Sequence, residues 1–298
     1  MTFLQSFWSK PLLSSQYTDN RLFRFNGGFP NNFFFLCAWT YSCLTIKKYY
    51  PNLHLVTDSY GIKIFKDILD LPYTSYSNAL DDLNAYHEGF WALGKLHTYQ
   101  LQKEPFCHID GDIFFFGNVL DSLLDKPIFC QSYDFNTTQY SEIHPYVHSN
   151  FREVDEAFEA DLDKKMKLLN VGVLGGSDIG LFQEYTQTAM KLINANQDKV
   201  KNINVSLLNL YYEQFLLSNI IANKGVGFDS LYKEPDCQVT NNFVDFTGIP
   251  HASQYIHLIS GFKRSSKFME QVVIRLLLEY PEYYQRIVNY KERVADEN

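Results

Sequence analysis

The chain has 298 residues, enough for one large domain or two modest ones with a substantial core. Hydrophobic residues make up 46% and aromatic residues 16%, including 25 Phe and 21 Tyr, which excludes an intrinsically disordered chain. A formal charge of −8 argues against a general nucleic-acid binder or a binder of anionic membranes, while leaving room for a locally basic pocket that takes a phosphorylated ligand.

The opening "MTFLQSFWSKPLLSSQ" lacks the basic start and continuous apolar stretch of a signal peptide. "FPNNFFFLCAWTYSCLTIKKYY" predicts a helix: Pro30 and two asparagines can cap its start, and two lysines meet the dipole at its end. Its apolar part is too short, and too polar at its end, to span a bilayer. "NLHLVTDSYG" reads as a short strand that stops at Asp58 and turns at Gly61. "IKIFKDILDL" (helix), a turn around "PYTSYSN" and "FWALGKLHTYQLQ" (helix) come next, and then the strand "PFCHIDGDIFFF". Helices alternating with short buried strands predict an α/β fold with a mixed, mainly parallel sheet covered by helices on both faces.

Residues 133–165 break this rhythm. They carry many acids, dispersed aromatics and no sustained apolar period, and read as a loop or lid over a site. The core pattern resumes with the strand and glycine turn "KLLNVGVLGGSDIG". Two helices follow, the first capped by Asp178, the second "SLLNLYYEQFLLSNIIANK". Residues 266–298 form an amphipathic helical extension broken or restarted at Pro281. No repeat or linker divides the chain, so a single domain over 1–298 is expected. The five cysteines, Cys37, Cys43, Cys107, Cys130 and Cys237, form no CxxC pair, and several lie in apolar runs. They read as buried free thiols in a reducing compartment, so a soluble cytoplasmic protein is expected.

The chemistry concentrates in "EPFCHIDGDIFFFG". Burying an uncompensated carboxylate costs several kcal/mol, so Asp110 and Asp112 in an apolar run mean that the strand ends at solvent or that something positive lies between them. Residues i and i+2 of an extended segment share a face, which lets both acids approach one divalent ion. Gly111 between them permits unusual backbone geometry and close approach. A DxD pair alone is a weak signal, since "DLDKK" at Asp161 and Asp163 matches it in a solvated, charged run. The place of Asp110 and Asp112 at the end of a buried strand separates the two. Asn170 and Gly172 to Gly176 form a strand that breaks into paired glycines, where backbone could approach a ligand or merely turn into a helix. "YIHLISGFKR" supplies His257, which could complete a cation site, with Gly261 and Lys263 giving room and charge for phosphates. Lys95 is a further candidate cation, or a solvated surface lysine.

"FWALGKLHTYQLQKEPFCHIDGDIFFFG", "LNVGVLGGSD", "YYEQFLL" and "HLISGFKR", in this order, resemble the GT-A-type nucleotide-sugar glycosyltransferases. They are particularly similar to a glycosyltransferase-like bacterial family in which a W-A-x-G-K helix precedes an H-x-D-G-D strand. The resemblance covers roughly residues 18–265, and the helix-plus-DGD segment is its most specific part. It implies a nucleotide-sugar donor, an acceptor it does not identify, and a hexosyltransferase activity dependent on Mn²⁺ or Mg²⁺. Asp110 and Asp112 would bind that ion and, through it, the diphosphate. His257 resembles the third protein ligand of glycosyltransferase family 8, and Lys263 the lysine near the diphosphate. Their six-residue offset is kept, while Gly261 stands one position later than in that pattern. The donor would also meet Thr57 and Asp58 (nucleoside), Lys95, Gly111, Asn170, Gly172, Gly175 and Gly176. Glu213 and Gln214 match an acidic pair position beside the reaction centre, where Glu213 is the candidate base or a polar partner within a helix face.

Two other readings use the same residues. A metal-dependent nucleotidyl or phosphoryl transferase would attack phosphorus instead, although the chain has no GxxxxGK[ST] phosphate loop. A GT-A-like scaffold that binds a sugar or a partner without catalysis would retain the motifs and no turnover.

Overall fold

Asn31 starts the first long helix, its side chain accepting a hydrogen bond from the Phe34 N–H at 3.1 Å. The helix runs Asn32–Tyr49 and ends on Lys47 and Lys48, where cations meet the negative end of its dipole. Every residue from Phe35 to Ile46 is buried, so this helix is enclosed on all sides and not striped. The structure, a computed structural model, describes residues 1–13, 27–236, 238 and 243–296. Cys237 and residues 18–26 of the expected family resemblance lie outside them.

The strands are β1 (Thr2–Phe7), β2 (Leu53–Thr57), β3 (Ser75–Ser77), β4 (Phe106–Ile109), β5 (Ile113–Phe115), β6 (Phe129–Asp134), β7 (Leu168–Gly176), β8 (Asp229–Ser230) and β9 (Tyr255–His257). Seven of them form one sheet in the order β3-β2-β1-β4-β7-β6-β8, and β5 pairs with β9 in a separate ribbon. β1, β2 and β3 are parallel, with Phe3 opposite Leu53 and His54 opposite Ser75. β6 pairs antiparallel with β7 and parallel with β8. The fold is therefore the expected α/β class, a mixed, mainly parallel sheet flanked by helices. β1, β3, β6 and β8 are additions to the sequence reading. β1 hides a buried glutamine in its apolar run, and β3 is three residues long in a stretch rich in turn formers.

The chain forms two compact units. One comprises Met1–Thr2, Asp82–His108 and Leu120–Val239. In it, the helix Ile179–Ala195 packs with the helix Leu216–Lys224, which in turn packs with β7. Asp178 caps the first, accepting from the Leu181 N–H at 3.0 Å, and Gly225 closes the second in the left-handed conformation. The 133–165 segment belongs to this unit and is fastened down. Tyr140, Ile143, Val147 and Phe158 are buried, Phe158 stacks on Tyr211, and Asn219 donates to the Ala157 and Glu159 carbonyls.

The other unit comprises Phe3–Asp81, Ile109–Val119 and Thr240–Asn298. The C-terminal helices Ser266–Glu279 and Pro281–Asp296 pack on the Asn32–Tyr49 helix, and Met269, Val272, Leu276 and Ile287 are buried. Tyr41 donates to the Glu279 carboxylate at 3.1 Å. Pro281 begins the second helix, where a missing N–H costs nothing.

Cys37, Cys43, Cys107 and Cys130 are buried free thiols, and burial pushes Cys37 and Cys43 up to about 12. Among the described residues no helix is long and apolar enough to cross a membrane.

Candidate functional site

The apolar run around Asp110 is two strands and not one. β4 ends at Ile109, β5 begins at Ile113, and the Ile113 N–H donates to the Asp110 carbonyl at 3.2 Å, closing a turn of Asp110, Gly111 and Asp112. The acids sit where the chain leaves one sheet for another; Asp110 is half-buried there, while Asp112 stays buried and is offset by Lys263. β5 then pairs antiparallel with β9, setting Ile113 opposite His257, and the Leu258 N–H donates to the Asp112 carbonyl at 3.1 Å. This pairing delivers a distant histidine to the turn.

One ligand atom from each of Asp110, Asp112 and His257 lies within 4.8 Å of the others. His257 Nε2 stands 3.4 Å from Asp112 Oδ1, and Lys263 Nζ stands 2.5 Å from Asp112 Oδ2. Asp112 and His257 are only 5% and 6% exposed. Burial pushes the Asp112 carboxyl up, but Lys263 and His257 overcome it and hold the group well below the usual carboxylate range. Two carboxylates and one imidazole suit a hard or borderline divalent cation such as Mg²⁺ or Mn²⁺. Adjacent ligands on such an ion stand about 3 Å apart for bonds of about 2.1 Å. The Asp112–His257 separation is close to that spacing, so the donor set fits. A Cβ on Gly111 would lie 2.3 Å from the Trp39 ring, so only glycine passes over that indole.

The other expected residues of this unit have different surroundings. Lys263 also donates to the Gly27 carbonyl at 3.2 Å. Gly261 faces open space in the Ser260–Arg264 turn, and Ser260, not the glycine, takes the positive φ of 51°. Thr57 is buried and donates to the Phe7 carbonyl at 2.6 Å. Asp58 is buried with both oxygens engaged, Oδ2 by the Ser9 N–H at 2.7 Å and Oδ1 by the Gly61 N–H at 2.8 Å. Both side chains tie β2 to the loop after β1.

The remaining expected residues gather in the other unit. Lys95, on the helix Leu93–Gln100, donates to Glu213 Oε1 at 2.8 Å and approaches the Val171 carbonyl at 3.5 Å. The surface-lysine reading is thus replaced by a partly buried ion pair. Glu213 is 1% exposed and lies in a π-helical turn, Tyr211–Phe215, a distortion frequent at functional sites. Tyr185 donates to its carbonyl at 2.7 Å, and Gln214 is half-buried beside it. Asn170 donates to Asp236 Oδ2 at 3.1 Å and accepts from the Gly172 N–H at 3.1 Å. A Cβ on Gly175 would meet the Phe106 carbonyl at 2.4 Å, and one on Gly176, whose φ is 149°, the Pro127 carbonyl at 2.0 Å. The room left by these two glycines is taken by the protein's own backbone. Asp161 and Asp163 are exposed, and Asp161 pairs with Lys164, as their solvated surroundings predict.

Residues 1–290 match a family described as "Family of unknown function (DUF6734)". The chain belongs to that family. No curated protein matches this DUF6734 member. Among solved structures it is similar to the glycosyltransferase GlyE of Streptococcus pneumoniae TIGR4, with 11% identity and a TM-score of 0.46 over 98% of this chain and 63% of the other. The chain thus spans less than two thirds of that protein's length. It is also similar to mouse xyloside xylosyltransferase 1 in its apo form, with 10% identity and a TM-score of 0.41 over 86% of this chain and 96% of the other.

The sequence reading of this DUF6734 member missed the residues that brace the Asp110–Asp112 turn. Gln5, Trp39, Ser42 and Tyr73 lie far from it in sequence and carry no motif. The one available signal was Gln5 itself, a glutamine at a position of "TFLQSF" shared with Phe3 and Phe7, where strand alternation expects an apolar side chain.

Proposed function

We propose that this DUF6734 member is a metal-dependent glycosyltransferase that moves a sugar from a nucleotide-sugar donor to an acceptor hydroxyl. The observation that carries this reading is the Asp110, Asp112 and His257 cluster, within 4.8 Å, with Lys263 against Asp112. Asp110, Asp112 and His257 would hold Mn²⁺ or Mg²⁺. When bound, such an ion supplies positive charge beside the donor's diphosphate. The sugar–phosphate bond breaks through a cation-like sugar while the departing diphosphate gathers negative charge. A lysine that binds the diphosphate better as it departs lowers the barrier, and that is the role of Lys263. Lys95, Asn170 and the 170–176 strand would serve the donor sugar, as the family resemblance suggests. Glu213 was the candidate base, but Lys95 engages its Oε1. We therefore read it as the group that fixes the Lys95 ammonium and not as the acceptor of the substrate proton.

Thermal unfolding with a panel of nucleoside diphosphates and nucleotide-sugars, with and without Mn²⁺, tests this function. A ligand at about 100 times its Kd adds about 2.7 kcal/mol to stability. The expected result is a raised midpoint for one nucleotide class that requires Mn²⁺, followed by sugar release or transfer in product analysis. Transfer of phosphate or nucleotide would make the protein a different transferase. Binding without turnover would make it a scaffold, and no shift with any ligand would overturn the site.

A further inference from the structure

The DGD turn is held from below by a closed set of buried polar groups. Gln5, in the middle of β1, is fully buried. Its Nε2 donates to Ser42 Oγ at 2.9 Å and reaches the Asp110 carbonyl at 3.4 Å. Ser42 donates in turn to the Ile113 carbonyl at 2.6 Å. Gln5 Oε1 accepts from the Tyr73 hydroxyl at 2.6 Å, and Tyr73 accepts from Trp39 Nε1 at 3.0 Å. Trp39 is the residue whose ring lies under Gly111. The set therefore touches Asp110, Gly111 and Ile113, three of the four residues of the turn, without touching either carboxylate.

The orientation of the Gln5 amide in this set is fixed, while Tyr73 also meets the Cys43 thiol. The Ile113 carbonyl can only accept, so the Ser42 hydrogen goes there and its oxygen must accept from Gln5. The Asp110 carbonyl also only accepts, which claims the same end of the amide. The Gln5 oxygen must then face Tyr73, whose oxygen already accepts the indole N–H. Burial raises the Tyr73 hydroxyl well above its ordinary range, so its proton stays in place. A flipped amide would turn its oxygen toward two acceptors, the Asp110 carbonyl and Ser42 Oγ, whose own hydrogen is committed to Ile113. The amide has one orientation, and that orientation locks the backbone between Asp110 and Ile113.

We infer that Gln5, acting with Tyr73 and Ser42, is a positioning residue that holds the Asp110–Asp112 turn in the shape that binds the divalent ion. This inference rests on the metal reading of Asp110, Asp112 and His257 above. Groups one step removed from a metal ligand tune affinity by orienting it, with losses of about 10–100-fold when they are removed. Gln5 and Tyr73 do so through the carbonyl and the indole that set the turn.

The test is Mn²⁺ binding to the full chain, followed by the electron paramagnetic resonance signal of the free ion, beside the thermal midpoint of each variant. Tyr73→Phe deletes one hydroxyl and leaves the ring, and it is expected to raise the Mn²⁺ Kd about tenfold. Gln5→Met removes three bonds of the set, to Ser42, Asp110 and Tyr73, and is expected to raise it by up to about 100-fold. Thr186→Val is the control, since Thr186 is also buried and donates to the Phe182 carbonyl at 2.9 Å. It should lower the midpoint and leave the Kd alone, which separates positioning from stability. If Gln5→Met does not fold, Tyr73→Phe carries the test. A folded Tyr73→Phe protein with the parent Kd overturns the positioning role and leaves the metal site standing. A parent protein that binds no Mn²⁺ overturns the metal reading, and this inference with it.

Discussion

Replacing Asp112 with asparagine separates what the carboxylate does for the ligand from what it does for the fold. The sequence alone suggests that Asp112→Asn should leave the fold largely intact, because an acid in a metal site serves the ligand. The structure changes that expectation. Asp112 is 5% exposed and its Oδ2 lies 2.5 Å from Lys263 Nζ, whose side chain is 19% exposed. Removing one partner of a buried pair typically costs about 3–5 kcal/mol, because the remaining charge stays desolvated. Lys263 keeps the Gly27 carbonyl at 3.2 Å and some solvent, and the new amide oxygen can still accept. The cost should therefore fall at or below the lower end, about 2–3 kcal/mol. For a chain of this length that is a fall in Tm of about 3–5 °C.

The same substitution should weaken Mn²⁺ binding by more than about 100-fold, since groups one step further out already cost about 10–100-fold. Urea unfolding and Mn²⁺ titration on one preparation measure both effects. Adding Lys263→Met closes a double-mutant cycle, and the coupling between the two sites should be about 2 kcal/mol. Full parent stability with zero coupling would refute the ion pair. A parent Mn²⁺ Kd in folded Asp112→Asn protein would refute the metal assignment, whatever the stability showed.

Gly111→Ala should destabilise by about 1–3 kcal/mol, the range for forcing atoms into a packed site, because its Cβ would meet the Trp39 ring at 2.3 Å; urea unfolding checks it, and parent stability would mean that the indole lies elsewhere. Glu213→Gln and Lys95→Met should each destabilise by up to about 3–5 kcal/mol, and the double variant by less than their sum; additivity would dissolve the pair. Phe158→Ala should cost about 3–5 kcal/mol, because Phe158 is fully buried against Tyr211 at 5.3 Å between ring centroids; a neutral outcome would return 133–165 to the loose lid of the sequence reading. His144 is held below its ordinary 6.5, by burial first and then by His148, with Glu159 opposing. The unfolded chain therefore takes up a proton that the folded one resists, so stability should fall as pH drops below about 6.5. His144→Phe should flatten that slope in pH-dependent melts.

The contrast between what could and could not be read follows from the distance over which each signal acts. Helix ends were legible because their physics is local. Asn31, Asp178 and Pro281 act within three or four residues of themselves, and the structure finds all three at helix starts. Asp110 and Asp112 were legible for the same reason, since two carboxylates within an apolar run are a local contradiction. The consequence of that contradiction, a chain that leaves the main sheet at Asp110 and pairs with β9, depends on residues near 255, and no local rule reaches them. Lys95 illustrates the same limit. From sequence it could be a surface lysine, and only its packing against Glu213 makes it a partly buried charge. The support beneath the turn lies furthest from reach, because Gln5, Trp39, Ser42 and Tyr73 carry no chemistry of their own at the site. They matter through the shape they impose on a backbone, and each is individually compatible with an ordinary core. On the proposed metal reading, such a site displays its acids in the sequence and conceals its scaffold, so a homologue that keeps DGD but loses the glutamine of β1 should bind the ion more weakly than its motif suggests.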